Sequence, residues 1–144
     1  GRGSRGWGSK MKVIIYTDGA SRGNPGRSAI GAVIADEKGN TLATISTRIG
    51  RATNNQAEYR AVIAALEKAV KVGAKNADIR MDSELVVKQL NGRYQVRNMS
   101  LKPLYDKATG LLASLERYRI SHIPRSRNAE ADRLANRALD ESYK

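Results

Sequence analysis

The sequence predicts a mixed α/β fold, a five-stranded sheet flanked by helices in the order β-β-β-α-β-α-α-β-α. Three observations carry that reading. Val13-Ile14-Ile15-Tyr16 is an unbroken run of strand-favouring residues, the mark of a strand buried on both faces. Two further β-prone stretches follow before any helical pattern, with only short turns between them, as in an antiparallel meander. Beyond residue 53, helical and strand patterns alternate, and the connection through the first helix makes the strand at Ala77 to Met81 a parallel neighbour of the first.

The elements follow in order. The first strand stops at Asp18, ahead of a loop, Gly19 to Gly26, holding three glycines and Pro25. Ser28 to Asp36 forms the second strand, and Glu37-Lys38-Gly39-Asn40 the turn after it. Thr41 to Ile49 alternates with period two as the third strand. Thr53-Asn54-Asn55-Gln56 supplies capping-type residues for a helix continuing from Ala57 to Val72 and ended by Gly73. Its apolar stripe holds Val62, Ala65, Leu66 and Ala69, and Glu58 lies on the same inward stripe, in the first turn. Ala77 to Met81 is a short strand ended by Asp82, and Ser83 caps a helix to Leu90. Arg93 to Asn98 reads as a polar, basic linker. A third helix runs from Leu101 to Glu116 with Pro103 in its first turn, and Arg117 to Ile123 is the fifth strand. Pro124 to Arg127 is a basic loop, and Asn128 caps a last helix to Ser142, on which Asp132, Ala135 and Leu139 share a stripe.

Composition narrows the function. The 144 residues fit one domain with a real core. Residues 1–10, rich in Gly, Ser and Arg and preceding Met11, read as a leader or flexible tag, leaving 11–144 as the domain. With 26 Lys and Arg against 14 Asp and Glu, the net charge is +12; discounting Arg2, Arg5 and Lys10 leaves +9. That favours a polyanionic partner, nucleic acid above all. The chain has no cysteine, so a metal must be held by oxygen or by His122, the single histidine. No apolar run is long enough for a membrane span, and the expectation is a cytoplasmic monomer.

A lone Asp before Gly most often just ends a strand in a turn. Here four acids stand at element ends or starts. Asp18 and Asp82 close two strands expected to be adjacent, where open sheets place ligands. Glu58 and Asp132 begin inward helix faces directed to the same place. Four anions together repel and raise one another's pKa unless divalent cations lie between them. All-oxygen ligation points to Mg²⁺, with Mn²⁺ as a substitute. The matching chemistry is two-metal hydrolysis of a phosphodiester, one ion activating water and the other stabilising the leaving oxygen.

Four blocks now become specific: Tyr-Thr-Asp-Gly-Ala-Ser (16–21), Thr-Asn-Asn-Gln-Ala-Glu (53–58), Met-Asp-Ser (81–83) and Asn-Ala-Glu-Ala-Asp-Arg-Leu-Ala-Asn (128–136). In this order they resemble the signature of type 1 ribonuclease H, ribonuclease HI. The resemblance implies a ribonuclease H-like fold and endonucleolytic hydrolysis of the RNA strand of RNA/DNA hybrids, leaving 5′-phosphate and 3′-hydroxyl ends. It places Asp18, Glu58, Asp82 and Asp132 on the family's metal carboxylates, with Asp18 bridging two ions, Glu58 and Asp82 on the nucleophile side and Asp132 on the other. It places Gly19, Ser21 and Asn24, with Asn54, Asn55 and Gln56, at positions contacting the hybrid's minor groove, where 2′-hydroxyls are displayed. Arg51, Thr53 and Asn98 match positions that hold a phosphate of the DNA strand. Capping and turn-making are the competing roles for all of these polar residues.

The chain departs from many bacterial members in two places. Only Arg93 to Asn98 stands where they insert a basic handle helix, so it resembles the archaeal and retroviral-like branch. It also lacks a long loop carrying a catalytic histidine; the local pattern favours Arg125 over His122 in that role, with His122 still on the fifth strand. Double-stranded RNA as a side substrate stays open. The alternative from another class is a non-catalytic hybrid-binding module of the same fold, against which the four intact acids argue.

Overall fold

All five expected strands share one sheet, in the order β3-β2-β1-β4-β5, in a computed structural model that describes residues 11–141. The strands are β1 (Lys12–Gly23), β2 (Gly26–Asp36), β3 (Thr41–Ala52), β4 (Asn76–Met81) and β5 (Arg117–His122). The helices are α1 (Asn54–Lys71), α2 (Glu84–Leu90), α3 (Lys102–Ala113) and α4 (Ala129–Asp140). β1 pairs antiparallel with β2 and parallel with β4, so the sheet changes sense along its central strand. The leader expected over 1–10 and Ser142, the expected end of the last helix, lie outside the described residues.

Helices α1 to α3 share one side, over a core built from Val13, Ile15, Ile34, Tyr59, Leu66, Ile79, Met81 and Leu112. Helix α4 packs on the other, where Ala29, Ala138 and Leu139 are buried. It touches β2, β1 and β3 and covers only part of that side. The first strand is therefore not buried on both faces: Val13 and Ile15 are fully buried, whereas Ile14 and Tyr16 are half-exposed. An unbroken apolar run does not reveal how much of the second face a single helix can cover.

The expected Gly19 to Gly26 loop is instead strand. β1 stays paired with β2 out to Gly23 opposite Gly26, and the chain reverses at Asn24-Pro25, with Gly23 at a φ of 111°. Pairing satisfies this backbone, and the glycine at position 19 serves a different need. A Cβ on Gly19 would lie 2.4 Å from the carbonyl carbon of Ala57, so its absence lets β1 meet the start of α1. The same holds for Gly31 on β2, whose added Cβ would lie 2.2 Å from the Ala131 carbonyl oxygen on α4.

Thr53 caps α1 with a full capping box: its hydroxyl accepts from the Gln56 amide, and the Gln56 side chain accepts from the Thr53 amide at 2.8 Å. α3 ends at Ala113, before the expected Glu116, because the Glu116 amide turns to the Lys75 carbonyl ahead of β4. The basic loop carries one 3₁₀ turn, Arg125–Arg127. Asn128 does not cap α4 with its side chain. It is 1% exposed, and its amide nitrogen donates to the Thr17 carbonyl at 2.8 Å, tying the helix start to β1. Residues 91–101 form turns and extended chain without a helix, as expected for a chain lacking the handle.

Candidate active site

Parallel pairing of β1 with β4 runs out at Thr17 opposite Met81, so Asp18 and Asp82 are the next residues on neighbouring parallel strands. Glu58 reaches them from α1, one residue beyond the first turn rather than within it. It is there because Gly19 permits the close approach, and the Gly19 amide donates to Glu58 Oε1 at 2.9 Å. One carboxylate oxygen from each of Asp18, Glu58 and Asp82 lies within 4.8 Å of the others. Asp18 is 5% exposed, Glu58 6%. Asp132, at the start of α4, borders the same cleft but lies outside that tight set. The structure thus brings together three of the expected acids closely and the fourth at the rim.

Burial, then the charge of Glu58 and the nearness of Asp132 and Asp82, hold the Asp18 carboxyl well above the usual carboxylate range. Burial pushes Glu58 up to about 8, with the Gly19 amide and Arg125 opposing. Groups this crowded and dry ionise together only beside positive charge. A hard divalent cation suits an all-oxygen donor set of this kind, and Asp18, Glu58 and Asp82 are the residues able to hold one.

Arg125 also lines this cleft, its Nη2 3.9 Å from Asp132 Oδ1. His122 pairs with Met81 as the last residue of β5 and lines a separate depression with Glu84, Lys88 and Asn91. Of the expected substrate contacts, Gly19, Ser21 and Asn54 line the acidic cleft. Several carry structural bonds. Ser21 Oγ is 2.6 Å from Ser28 Oγ, and Asn24 Oδ1 accepts from the Asn54 amide at 2.9 Å. Thr53 and Gln56 complete the capping box, and Asn55 is half-buried beside them. Arg51, at the exposed end of β3, and Asn98, whose side chain accepts from Ser100 in the turn before α3, stand outside the cleft lining.

Two neighbours went unforeseen in the sequence. Asn136 Nδ2 donates to Asp132 Oδ1 at 3.1 Å, and Arg22 bridges Asn136 Oδ1 at 3.2 Å and Asp140 Oδ1 at 2.8 Å. The signal was present: 132, 136 and 140 repeat every four residues and share one helix face.

The comparisons bear on the family and the fold. The family model described as reverse transcriptase-like matches residues 16–138. The bifunctional protein Rv2228c of Mycobacterium tuberculosis is 50% identical over 131 residues, 90% of this chain and 36% of its own length, so the chain spans about a third of that relative. The ribonuclease HI of Halobacterium salinarum is 47% identical over 91% of this chain and 66% of its own. The crystal structure of RNase H1 from that archaeon superposes with a TM-score of 0.89 at 46% identity, covering 91% of this chain and 99% of that one. LC11-RNase H1, solved in complex with an RNA/DNA hybrid, gives a TM-score of 0.84 at 47% identity over 89% of this chain and 96% of its own. With the family model across most of its length and relatives this similar, the chain belongs to the ribonuclease HI family.

Proposed function

We propose that the chain is an endoribonuclease that hydrolyses the RNA strand of RNA/DNA hybrids in a divalent-metal-dependent reaction, leaving 5′-phosphate and 3′-hydroxyl ends. The observation carrying the proposal is the convergence of Asp18, Glu58 and Asp82 within 4.8 Å at the point where β1–β4 pairing stops. A relative at 47% identity has been solved with an RNA/DNA hybrid, which supports the choice of substrate.

Asp18, Glu58, Asp82 and Asp132 would hold two Mg²⁺ ions, or Mn²⁺ in their place. When bound, such ions activate a water for attack on phosphorus and neutralise charge on the leaving oxygen. The chain's own groups prepare that site. The Gly19 amide fixes one Glu58 oxygen, leaving the other free, and Asn136 orients Asp132. Arg125, always protonated, cannot act as a general base; at the cleft rim it stabilises phosphate charge or helps product leave. Asn54, Asn55 and Gln56, with Gly19, Ser21 and Asn24, line the minor-groove side of the hybrid in this reading, and Arg51, Thr53 and Asn98 take a DNA-strand phosphate. The proposed setting is cytoplasmic and the working unit a monomer. No helix among the described residues is long and apolar enough to cross a membrane.

The test is cleavage of an end-labelled RNA strand in RNA/DNA, RNA/RNA and DNA/DNA duplexes with Mg²⁺, Mn²⁺ or Ca²⁺. Hybrid cleavage in Mg²⁺ or Mn²⁺, little in Ca²⁺, and none with Asp18→Asn is expected. Asp18→Asn should still bind hybrid, because it removes an anion beside phosphate. Binding without cleavage by the unaltered protein would favour the non-catalytic hybrid-binding module.

A further inference from the structure

Among the described residues, no helix packs over β4 and β5 on the side of the sheet that carries α4. Register places three rows of side chains there: Lys12, Asn76 and Arg117; Ile14, Asp78 and Arg119; Tyr16, Arg80 and Ser121. Four of the nine are cations and one is an acid. Asp78 is paired with Arg80 Nη2 at 3.1 Å, and Arg80 Nη1 donates to the Tyr16 hydroxyl at 2.8 Å, so Arg80 is held in place. Lys12, Arg117 and Arg119 are exposed, with no ion pair to any described residue. Lys12, Asn76 and Arg117, with Asp78 and Arg119, line a depression of about 380 Å³. Beside it, Ile14, Tyr16, Val33 and Ala35 floor a more apolar trough with Arg127 at its edge. The trough's two acids are already engaged, Asp36 by the Asn40 side chain and backbone and Glu130 by Arg133.

We propose that this open face binds single-stranded nucleic acid, its phosphates along Arg117 and Arg119 and its bases over the Ile14–Tyr16–Val33 trough. Arg117 and Arg119 are two residues apart on one strand and point to the same side, about 6.6 Å apart along it. That spacing suits consecutive phosphates of an extended strand, and guanidinium forks suit phosphate oxygens. An apolar, aromatic floor beside a cationic row is what unpaired bases need and duplex bases cannot reach. Arg117 and Arg119, level with Asn76 and Asp78, lie six and four residues back along β4 from Asp82, about 20 and 13 Å from the acidic cleft. A strand running past a hybrid would therefore contact it while a short blunt hybrid would not. The inference deepens the hybrid-cleavage reading by adding a second contact for the same polymer, yet its binding test needs no catalysis.

The experiment is fluorescence-anisotropy titration of a labelled oligothymidylate against the full chain and its Arg117→Ser/Arg119→Ser variant, in EDTA, across salt concentration. The variant should bind roughly tenfold more weakly at low salt. Its slope of log affinity against log salt should be shallower by about 1.4, at ~0.7 per lost single-strand phosphate contact. Ile14→Glu, which charges the trough and leaves the arginines alone, should also weaken binding. Both variants should cleave a short blunt hybrid at the unaltered rate, which checks that they fold. Unchanged affinity and slope would overturn the proposal. So would an equal loss of binding to poly-glutamate or to vesicles of anionic phospholipid, which offer charge without bases.

Discussion

At Asp18 and Glu58 the sequence and the geometry carry different kinds of information. Their identities were legible from spacing alone, but Asp18 lies inside β1, one residue past the end of its pairing with β4, and Glu58 one residue beyond the first turn of α1. Their burial, and hence the upward shift of both carboxyls, required the Gly19 contact with Ala57 to be seen. Counting alone also could not choose between His122 and Arg125. In the structure His122 completes β5 and faces a different depression, while Arg125 lies 3.9 Å from Asp132. We therefore expect Arg125→Ala to lower kcat about tenfold with a modest effect on KM, because an exposed cation near developing phosphate charge acts mainly in the transition state. His122→Ala should stay within twofold, and the pH–rate profile should lack an imidazole step near the ordinary pKa of about 6.5. Steady-state kinetics of the two variants decide this, and the reverse ranking would return the role to His122.

At the scale of elements, the order and type of all nine were legible because period-two and period-3.6 patterns were clean and capping residues stood at the boundaries. The Gly19–Gly26 segment was not, because glycine reads as turn whether it serves a turn or a close approach. Gly31 belongs to the second kind. It lets α4 settle onto β2, and α4 carries Asp132 and Asn136 to the cleft. A methyl at position 31 has no room without moving backbone at Ala131 and Ala135, so Gly31→Ala should lift the start of α4. Overpacking of this kind costs about 1–3 kcal/mol. Thermal denaturation should show that loss, and cleavage should fall further than stability alone explains, since Asp132 moves with the helix. Asn128→Ala removes the tie from α4 to the Thr17 carbonyl and should destabilise by a similar ~1–3 kcal/mol through the buried acceptor it leaves unpaired. A fully active, fully stable Gly31→Ala protein would mean that α4 is positioned by other contacts.

For the whole molecule, the cluster of buried acids sets a conflict between folding and full ionisation that a bound cation would resolve. In the folded, metal-free protein Asp18 and Glu58 keep protons that the unfolded chain releases near pH 4, with Glu58 titrating at about 8. The folded state then binds more protons than the unfolded one, so stability present below about pH 4 is lost as pH rises toward 8, by at most ~1.4 kcal/mol per pH unit for each group. Asp36, Glu84 and Glu130, whose carboxyls are held below their ordinary values, act in the opposite sense, with losses confined to acid. Between pH 5 and 8 the buried pair should therefore dominate. We expect the metal-free Tm to fall across this window and Mg²⁺ to raise it most at the alkaline end, where the ion replaces protons. At an ion concentration one hundred times Kd, the gain is about 2.7 kcal/mol. Asp18→Asn removes one of the crowded charges and a ligand together. Its metal-free Tm should exceed that of the unaltered protein at pH 8, match it near pH 4, and respond little to Mg²⁺. Calorimetry at several pH values with EDTA or Mg²⁺ measures all three. A metal-free Tm at pH 8 that is no lower for the unaltered protein than for Asp18→Asn would show that Asp18 is not held protonated by its surroundings.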